Sequence, residues 1–411
     1  MAATPVQLLR HPGFRKIWLV GGLVNTMRWL EVLAIGIYVF DLTGSPLLVA
    51  LMMFLRQLPF ALFGAVVGAV ADRFDRRHLL LAGLSTTTVV LGLLSLSAWT
   101  GHLALWQIGL GAFISGVYLS GEHAIRRTML GEFAGTERIG PAMALDSMTN
   151  NSTRGLGPLI GGLMYQTVGL QGAYLLGFAA YLVSILLVLR VHYVRPRKSE
   201  AEQKPQSVLR NLIEGFQYAR TNRLLLGVLF VTVIVNMFAF SYSSMVPAIG
   251  REELLLSAFA IGLMFSAEGL GSFLGAMWVS VYARTTQYNY LFFYGGVLFC
   301  SGVLLFSLSP IYGLSIALLT TGGFGFAGYA SMQSAIAFRS ATPEMRSRAM
   351  GLVTMFIGSG PFGVLLLGFL ANHLGAADAL TLNASIGMVL LLVTFLVWPE
   401  IRSKPETPDA S

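Results

Sequence analysis

The stretch GAVADRFDRRH, from Gly68 to His78, joins two long apolar runs of the sequence. Its glycine permits two helices to approach closely, and Asp72 is placed to interact with the N-terminus of an adjoining helix or with an arginine. We expect the arginines of the stretch to anchor it at the cytoplasmic leaflet of a membrane; they are Arg73, Arg76 and Arg77. The stretch therefore predicts a short, positively charged turn between two membrane-spanning helices.

The overall composition also indicates a membrane protein. Of the 411 residues, 55% are hydrophobic and only 11% are charged, whereas roughly 25% of the residues in soluble domains are charged. A soluble enzyme with one core and a disordered chain are both excluded, because each requires far more polar surface. The net charge of +8 does not indicate nucleic-acid binding, since the basic residues stand between apolar runs and not on one solvated face.

Apolar segments long enough to cross a bilayer, about 20 residues each, recur twelve times. They lie near 17–40, 47–70, 79–99, 103–122, 140–166, 170–190, 224–247, 255–282, 289–309, 311–337, 349–371 and 378–398. The sequence thus predicts an all-α integral membrane protein with 12 transmembrane helices in two pseudo-symmetric six-helix bundles. We expect a first bundle over 1–190, a cytoplasmic linker with an interfacial helix over 191–223, a second bundle over 224–398 and a cytoplasmic tail over 399–411.

A glycine pattern repeats between the two halves. Gly64 and Gly68 recur 207 residues later as Gly271 and Gly275, and Gly162 and Gly169 recur 206 residues later as Gly368 and Gly375. Two offsets that agree, each near half the chain length, favour a duplicated six-helix unit, which is a known transporter architecture.

The basic residues predict the orientation. With the N-terminus in the cytoplasm, 23 of the 27 lysines and arginines fall at that side and only Arg251 falls in an outer loop. Cytoplasmic loops carry an excess of such residues, so we expect both termini in the cytoplasm. Three arginines lie inside predicted spans: Arg28, Arg56 and Arg154.

The fifth span contains the motif GPLIGG, from Gly157 to Gly162. Pro158 removes a backbone donor and bends the helix, while Gly157, Gly161 and Gly162 allow it to cross a partner closely. Three more stretches are informative: LTGSP from Leu42 to Pro46, RQLPF from Arg56 to Phe60, and TPEMRSR from Thr342 to Arg348.

Together with the Gly68–His78 stretch, these motifs resemble the major facilitator superfamily, in particular its branch of bacterial drug and siderophore exporters, which includes enterobactin and macrolide exporters. The resemblance covers residues from about 12 to 398. It implies alternating access, with the Gly68–His78 stretch as a gate latch and GPLIGG as the core of an antiporter motif. The arginine typical of the fourth helix of many proton antiporters is not found between Leu103 and Ser120.

Charged groups near the centre of a bilayer are costly and usually face a cavity or a partner. Arg28 and Glu31 lie one helical turn apart in the first span, with Asn25 one turn earlier. Two interpretations remain open. The two residues form an ion pair that holds the fold, or Glu31 exchanges protons or a cationic substrate while Arg28 tunes its affinity.

Two more carboxylates are candidates for proton coupling. Glu268 has no basic residue within ten positions in the sequence, so it either binds protons or pairs with an arginine from another helix. Asp146 begins a polar stripe of the fifth span, continued by Asn150, Asn151, Thr153 and Arg154. Arg154 is expected to pair with Asp146 or Glu31, or to contact substrate, and the branch pattern favours a structural role for Arg56.

Neutral polar residues are candidates for the wall of a binding cavity: Asn236, Tyr242, Ser243, Ser244, Tyr329 and Gln333. No phosphate-binding loop with its lysine is found, and the six histidines lack ligand spacing. We therefore expect no enzyme activity, no cofactor and no metal, and ion gradients as the energy source.

The sequence favours a secondary transporter of the inner membrane that exports a small amphipathic molecule, drug-like or siderophore-like, by proton antiport. Its expected partners are that substrate, protons and the lipid bilayer, without nucleic acid, and we expect a monomer. One alternative is an uptake or facilitated-diffusion transporter. Another is a non-transporting scaffold or sensor on the same fold, which the buried charges disfavour.

Overall fold

A computed structural model describes residues 5–193, 208–342 and 345–401; the side chains at 5–6, 61, 64–73, 136, 208–212, 285 and 347 lie outside that description. The described residues form sixteen α-helices and no strand. The helices are α1 (Pro5–Arg10), α2 (Pro12–Thr43), α3 (Pro46–Arg73), α4 (Arg76–Trp99), α5 (Leu105–Ala134), α6 (Ile139–Val168), α7 (Leu170–Leu189), α8 (Val208–Thr221), α9 (Arg223–Ile234), α10 (Val246–Glu252), α11 (Ala258–Tyr282), α12 (Tyr288–Ser307), α13 (Tyr312–Ser340), α14 (Arg346–Ile357), α15 (Gly360–Leu374) and α16 (Ala376–Val397).

Every predicted span coincides with one of these helices or with consecutive ones. Eight segments of the described chain are long and apolar enough to cross a membrane. The other four spans correspond to α3, α5, α6 and α13, which are 28, 30, 30 and 29 residues long. The prediction of an all-α membrane protein with twelve spans is confirmed.

Two predicted spans are interrupted. The span at 224–247 consists of α9, a π-helical turn (Val235–Ala239) and a 3-10 segment (Phe240–Ser244). The span at 349–371 is divided between α14 and α15. Pro361 has no N–H to donate to the carbonyl of Ile357, so the helix ends there. Pro158, by contrast, lies inside a continuous α6.

The chain forms two compact units. The first is Met1–Gln203 with Leu256–Ser266, and the second is Lys204–Leu255 with Ala267–Ser411. The first half of α11 therefore groups with the first unit, where Gln166 accepts a hydrogen bond from the backbone N–H of Phe259 at 3.0 Å.

Glycines set the helix spacing in the first unit, where α3 packs on α5, α2 on α6 and α4 on α7. A Cβ at Gly116 of α5 would lie 2.2 Å from the carbonyl oxygen of Arg56. On α6, a Cβ at Gly161 would lie 2.8 Å from the carbonyl oxygen of Leu30, and one at Gly162 would lie 2.5 Å from that of Ala258. The GPLIGG motif thus packs α6 against α2 on one side and against the start of α11 on the other.

The repeated glycines at the ends of α6 and α15 share one backbone conformation. Gly169 and Gly375 both have φ +85°, and each ends one helix and begins the next. A side chain at either position would be strained. Equal conformations at positions 206 residues apart support the duplication inferred from the sequence.

The interfacial helix expected in the linker corresponds to α8, which packs on α14 in the second unit. Arg348 and Glu214 form an ion pair at 2.5 Å. The hydroxyl of Tyr218 donates to the carbonyl of Ser340 at 3.2 Å. These contacts hold α8 against α14 and the end of α13.

A substitution in the second unit tests the close packing of α11 on α13. We expect Gly271→Ala to lower the free energy of unfolding by about 1–3 kcal/mol, as overpacking does, because the new Cβ would lie 1.9 Å from the carbonyl oxygen of Thr320. Gly313→Ala is the matched control, since no atom lies within 4 Å of its Cβ position. Thermal unfolding in detergent measures both. Equal midpoints for the two variants would contradict the packing described here.

Candidate functional site

The central ion pair of the first unit joins α2 and α3. The guanidinium Nη1 of Arg56 donates to Glu31 Oε2 at 2.7 Å, and the two side chains are 6% and 2% exposed. The second terminal nitrogen of Arg56 donates to the carbonyl of Arg28 at 3.4 Å. The interpretation in which Arg28 and Glu31 form an ion pair is therefore wrong, because Arg56 of the neighbouring helix pairs with this carboxylate.

One face of α7 covers the other side of Glu31. A Cβ at Gly177 would lie 3.6 Å from Glu31 Oε1. Tyr174 and Tyr181, one turn to either side of Gly177, are both 1% exposed. Glu31 Oε1 and the two tyrosine hydroxyls have no hydrogen-bond partner among the described residues. Such buried polar atoms are rare in native proteins and call for a functional or solvent-based explanation.

Arg28 lies against aromatic rings. Its Cζ is 5.3 Å from the ring centroid of Trp29 and 5.8 Å from that of Phe60. The Cζ of Arg154 lies at 5.3 Å from the same Trp29 ring. Arg28 is half-buried, whereas Arg154 is buried. Three predicted charge partners, Arg28, Arg56 and Arg154, thus meet at the middle of α2.

A second network joins α5 and α6, and its central residue, Arg126, is not among the candidates predicted from the sequence. Arg126, 1% exposed, donates to Glu122 at 2.5 Å and also pairs with Asp146. Arg127 donates to the other oxygen of Asp146 at 2.8 Å. Of the alternatives for Arg154, the pairing with Asp146 is wrong, because two arginines of α5 pair with this carboxylate.

The location of Arg126 and Arg127 is also a correction. The predicted fourth span, 103–122, ends before both residues and would leave them in a cytoplasmic loop, but α5 continues to Ala134 and includes both. The spacing of Glu122 and Arg126, four residues apart, is the signal that indicates an extended helix here.

A third cluster involves the arginines expected at the lipid surface. Arg76 is 7% exposed; it pairs with Glu132 at 2.5 Å and donates to the hydroxyl of Tyr193 at 2.9 Å. Tyr193 in turn donates to Glu132 at 2.7 Å. Burial and the hydrogen bond to Glu132 raise the pKa of Tyr193, so this phenol stays a donor at neutral pH. The role of Arg76 as a lipid anchor is therefore wrong.

The rest of the Gly68–His78 stretch forms a helix start. Asp75 accepts from the backbone N–H groups of Arg77 and His78 and caps α4. Arg77 donates to the carbonyls of Val188 and Leu189 at the end of α7. The side chains of Gly68, Asp72 and Arg73 lie outside the described residues, so their role as a gate latch stays a prediction.

In the second unit, three predicted cavity residues form one network. Gln333 donates to Thr232 at 2.6 Å and to the hydroxyl of Tyr329 at 2.9 Å. Asn236, on the π-helical turn, donates to the same hydroxyl at 3.0 Å. The ring of Phe292 stacks on that of Tyr329. π-helical turns often mark functional positions, but the sequence offers no signal for this one.

The remaining candidates are distributed over both units. Ser244 is buried and donates to the carbonyl of Ser241, Ser243 donates to the carbonyl of Phe240, and Tyr242 packs edge-on against Phe299 and Phe306. Two other candidates are buried: Asn25 on α2 is 5% exposed and Glu268 on α11 is 1% exposed.

Asn150 and Asn151 are half-buried on α6. Among the described residues, no group of three His, Cys, Asp or Glu side chains could hold a metal ion.

Residues 3–409 match the transmembrane secretion effector family. The chain is also similar to the enterobactin exporter EntS of Shigella boydii serotype 4 (strain Sb227) and of Escherichia coli O9:H4 (strain HS). Each exporter is 24% identical over 403 residues, which make up 98% of this chain and 95% of the exporter.

Two solved structures are similar in fold. The nucleoside transporter NupG has a TM-score of 0.72 at 12% identity, over 93% of this chain and 98% of that one. A POT family transporter in complex with 5-aminolevulinic acid has a TM-score of 0.76 at 14% identity, over 95% and 96%.

Proposed function

Because the chain belongs to the transmembrane secretion effector family of major facilitator transporters, we propose that it exports a small amphipathic molecule in exchange for protons, with Glu31 as the proton carrier. The family and its relatives are transporters and not enzymes, and this chain is a multi-pass protein of the inner membrane. The relatives named as exporters support export as the direction of transport.

The observation that carries the proposal is the environment of Glu31. One carboxylate oxygen is held by Arg56 at 2.7 Å, while Oε1 has no hydrogen-bond partner among the described residues and faces Gly177. A proton on Oε1 neutralises the carboxylate and weakens its attraction to Arg56. Loss of the proton restores the pair. Proton binding and the α2–α3 contact are thereby coupled.

The surrounding groups fit this exchange. Tyr174 and Tyr181 interact electrostatically with Glu31, and their hydroxyls have no hydrogen-bond partner among the described residues. A phenol hydroxyl can donate to a carboxylate or accept from a carboxylic acid. Glu31 interacts electrostatically with Tyr174 and Tyr181 of α7 and forms an ion pair with Arg56 of α3. Tyr38, Arg28 and Glu122 interact in turn with these tyrosines, and Arg154 interacts with Arg28.

The other two carboxylates have different surroundings. Two arginines pair with Asp146, which favours a role in holding α5 and α6 together. Glu268 stays a second candidate for proton coupling, because it is a buried carboxyl in a spanning helix.

Transport into proteoliposomes tests the proposal. Vesicles with an acidic lumen and vesicles at equal pH are offered enterobactin, fluorescein or rhodamine 123, with protein-free vesicles as the control. We expect at least one probe to accumulate faster with the acidic lumen. Transport that is equal with and without the gradient would favour facilitated diffusion, and no transport of any probe would favour the scaffold.

A further inference from the structure

Three buried carboxylates of the first unit are each paired with an arginine. Glu31 pairs with Arg56, and Glu122 and Asp146 are matched by Arg126 and Arg127. Arg28 forms no ion pair within 4 Å in the part of the chain that the structure describes, and its guanidinium lies against two aromatic rings. The strongest anionic influence on it is the longer-range attraction of Glu122, so this cation in a spanning helix has no direct anionic partner among the described residues.

Aromatic rings alone do not replace that anion. The attraction between a cation and a ring is weaker than the penalty for removing an ion from water. Arg28 therefore needs either water or an anionic partner. The half-buried state of Arg28 and of Trp29 leaves part of the guanidinium and part of the ring accessible to a small molecule.

We infer that Arg28 is the anion-binding residue of the substrate site, and that the exported molecule is an amphipathic anion with an aromatic ring and a carboxylate, sulfonate or phosphate group. This inference rests on the proposed export function and gives the chemical class of its substrate. The planar guanidinium holds such a group through two parallel hydrogen bonds.

The neighbouring side chains fit the rest of such a molecule. Trp29 and Phe60 lie within 6 Å of the Arg28 guanidinium carbon, so an aromatic body bound through its anion meets an aromatic wall, where offset or edge-on stacking is favourable. A cationic ligand of the same shape would meet repulsion from the Arg28 guanidinium.

A pair of dyes with one ring system tests the charge requirement. Fluorescein carries an anionic carboxylate, and rhodamine 123 has a related xanthene ring with a positive charge. Fluorescence anisotropy with the full chain in detergent gives both dissociation constants. We expect wild type to bind fluorescein at least tenfold more tightly than rhodamine 123, and Arg28→Gln to lose at least tenfold in fluorescein affinity without weakening rhodamine 123.

Two further variants control for charge and geometry. Arg10→Gln removes the same charge at an exposed position and should leave both affinities within twofold of wild type. Arg28→Lys keeps the charge but lacks the paired donors, so it should recover part of the fluorescein affinity. Thermal unfolding verifies that each variant is folded.

Three results would overturn the inference: equal affinity of wild type for the two dyes, no binding of fluorescein, or equal losses in Arg28→Gln and Arg10→Gln. Binding in detergent requires no pH gradient, so this outcome is independent of proton coupling. Failure of gradient-driven transport with intact fluorescein binding would contradict the proposed function and not the anion site.

Discussion

Replacing Arg126 by methionine is expected to lower the free energy of unfolding by about 3–5 kcal/mol, as does removal of one partner from a buried ion pair. The guanidinium is 1% exposed and contacts both Glu122 and Asp146, each 2% exposed. Methionine fills much of the volume without the charge. Glu122 then stays in the protein interior with no cation at its carboxylate.

The loss should depend on pH in a defined direction. Without Arg126, protonation removes the uncompensated charge of the buried carboxylates. The difference in free energy of unfolding between wild type and the variant should therefore shrink as the pH falls from 7.5 to 5.5. Thermal unfolding in detergent at both pH values measures this difference.

Two variants control for position and for charge. Arg127→Met removes a guanidinium that is 38% exposed and contacts Asp146 but not Glu122. We therefore expect it to lower the free energy of unfolding by about 1 kcal/mol or less. Arg126→Met combined with Glu122→Gln and Asp146→Asn should recover much of the stability, because no charge stays buried alone. Equal losses in the two single variants would contradict the central role of Arg126.

Replacing Glu31 by glutamine is expected to abolish the dependence of transport on the pH gradient. Glutamine keeps the shape of the side chain but exchanges no proton, and Arg56 loses its anionic partner. In proteoliposomes, the variant with an acidic lumen should transport the probe at the rate that wild type shows without a gradient. If proton binding by Glu31 accounts for the whole effect of the gradient, the variant transports the probe at the same rate with and without the gradient.

Companion variants separate coupling from folding. Glu31→Gln with Arg56→Gln leaves no lone charge and should stay folded but uncoupled. Glu132→Gln changes a carboxylate that binds Arg76 and Tyr193 and not Arg56, and should keep the response to the gradient. If Glu31→Gln keeps the wild-type dependence of transport on the pH gradient and Glu268→Gln loses it, Glu268 and not Glu31 carries the proton.

The helices could be predicted from the sequence, because a spanning segment shows as a long apolar run. All twelve spans coincide with helices, and the positions of Gly169 and Gly375 indicate the repeat. The ends of the helices could not be predicted in this way. A helix such as α5 continues beyond its apolar run, and Arg126 and Arg127 then lie inside it and not in a loop.

The ion pairs were the least predictable part. Arg28 is three residues from Glu31, but Arg56, 25 residues away, holds the carboxylate. Asp146 likewise meets Arg126 from another helix and not the arginine two turns along its own. Which arginine pairs with which carboxylate depends on which helices pack together and at what distance. A single sequence shows only which residues are able to pair.

Proton movement during transport is the most direct test of the central claim. Proteoliposomes with a trapped pH-sensitive dye start at equal pH inside and outside and receive the transported probe on the outside. In wild type, probe entry should raise the luminal pH as protons leave in exchange, and Glu31→Gln should show no such change. Probe entry into wild-type vesicles with a luminal pH equal to that of protein-free vesicles would contradict proton antiport.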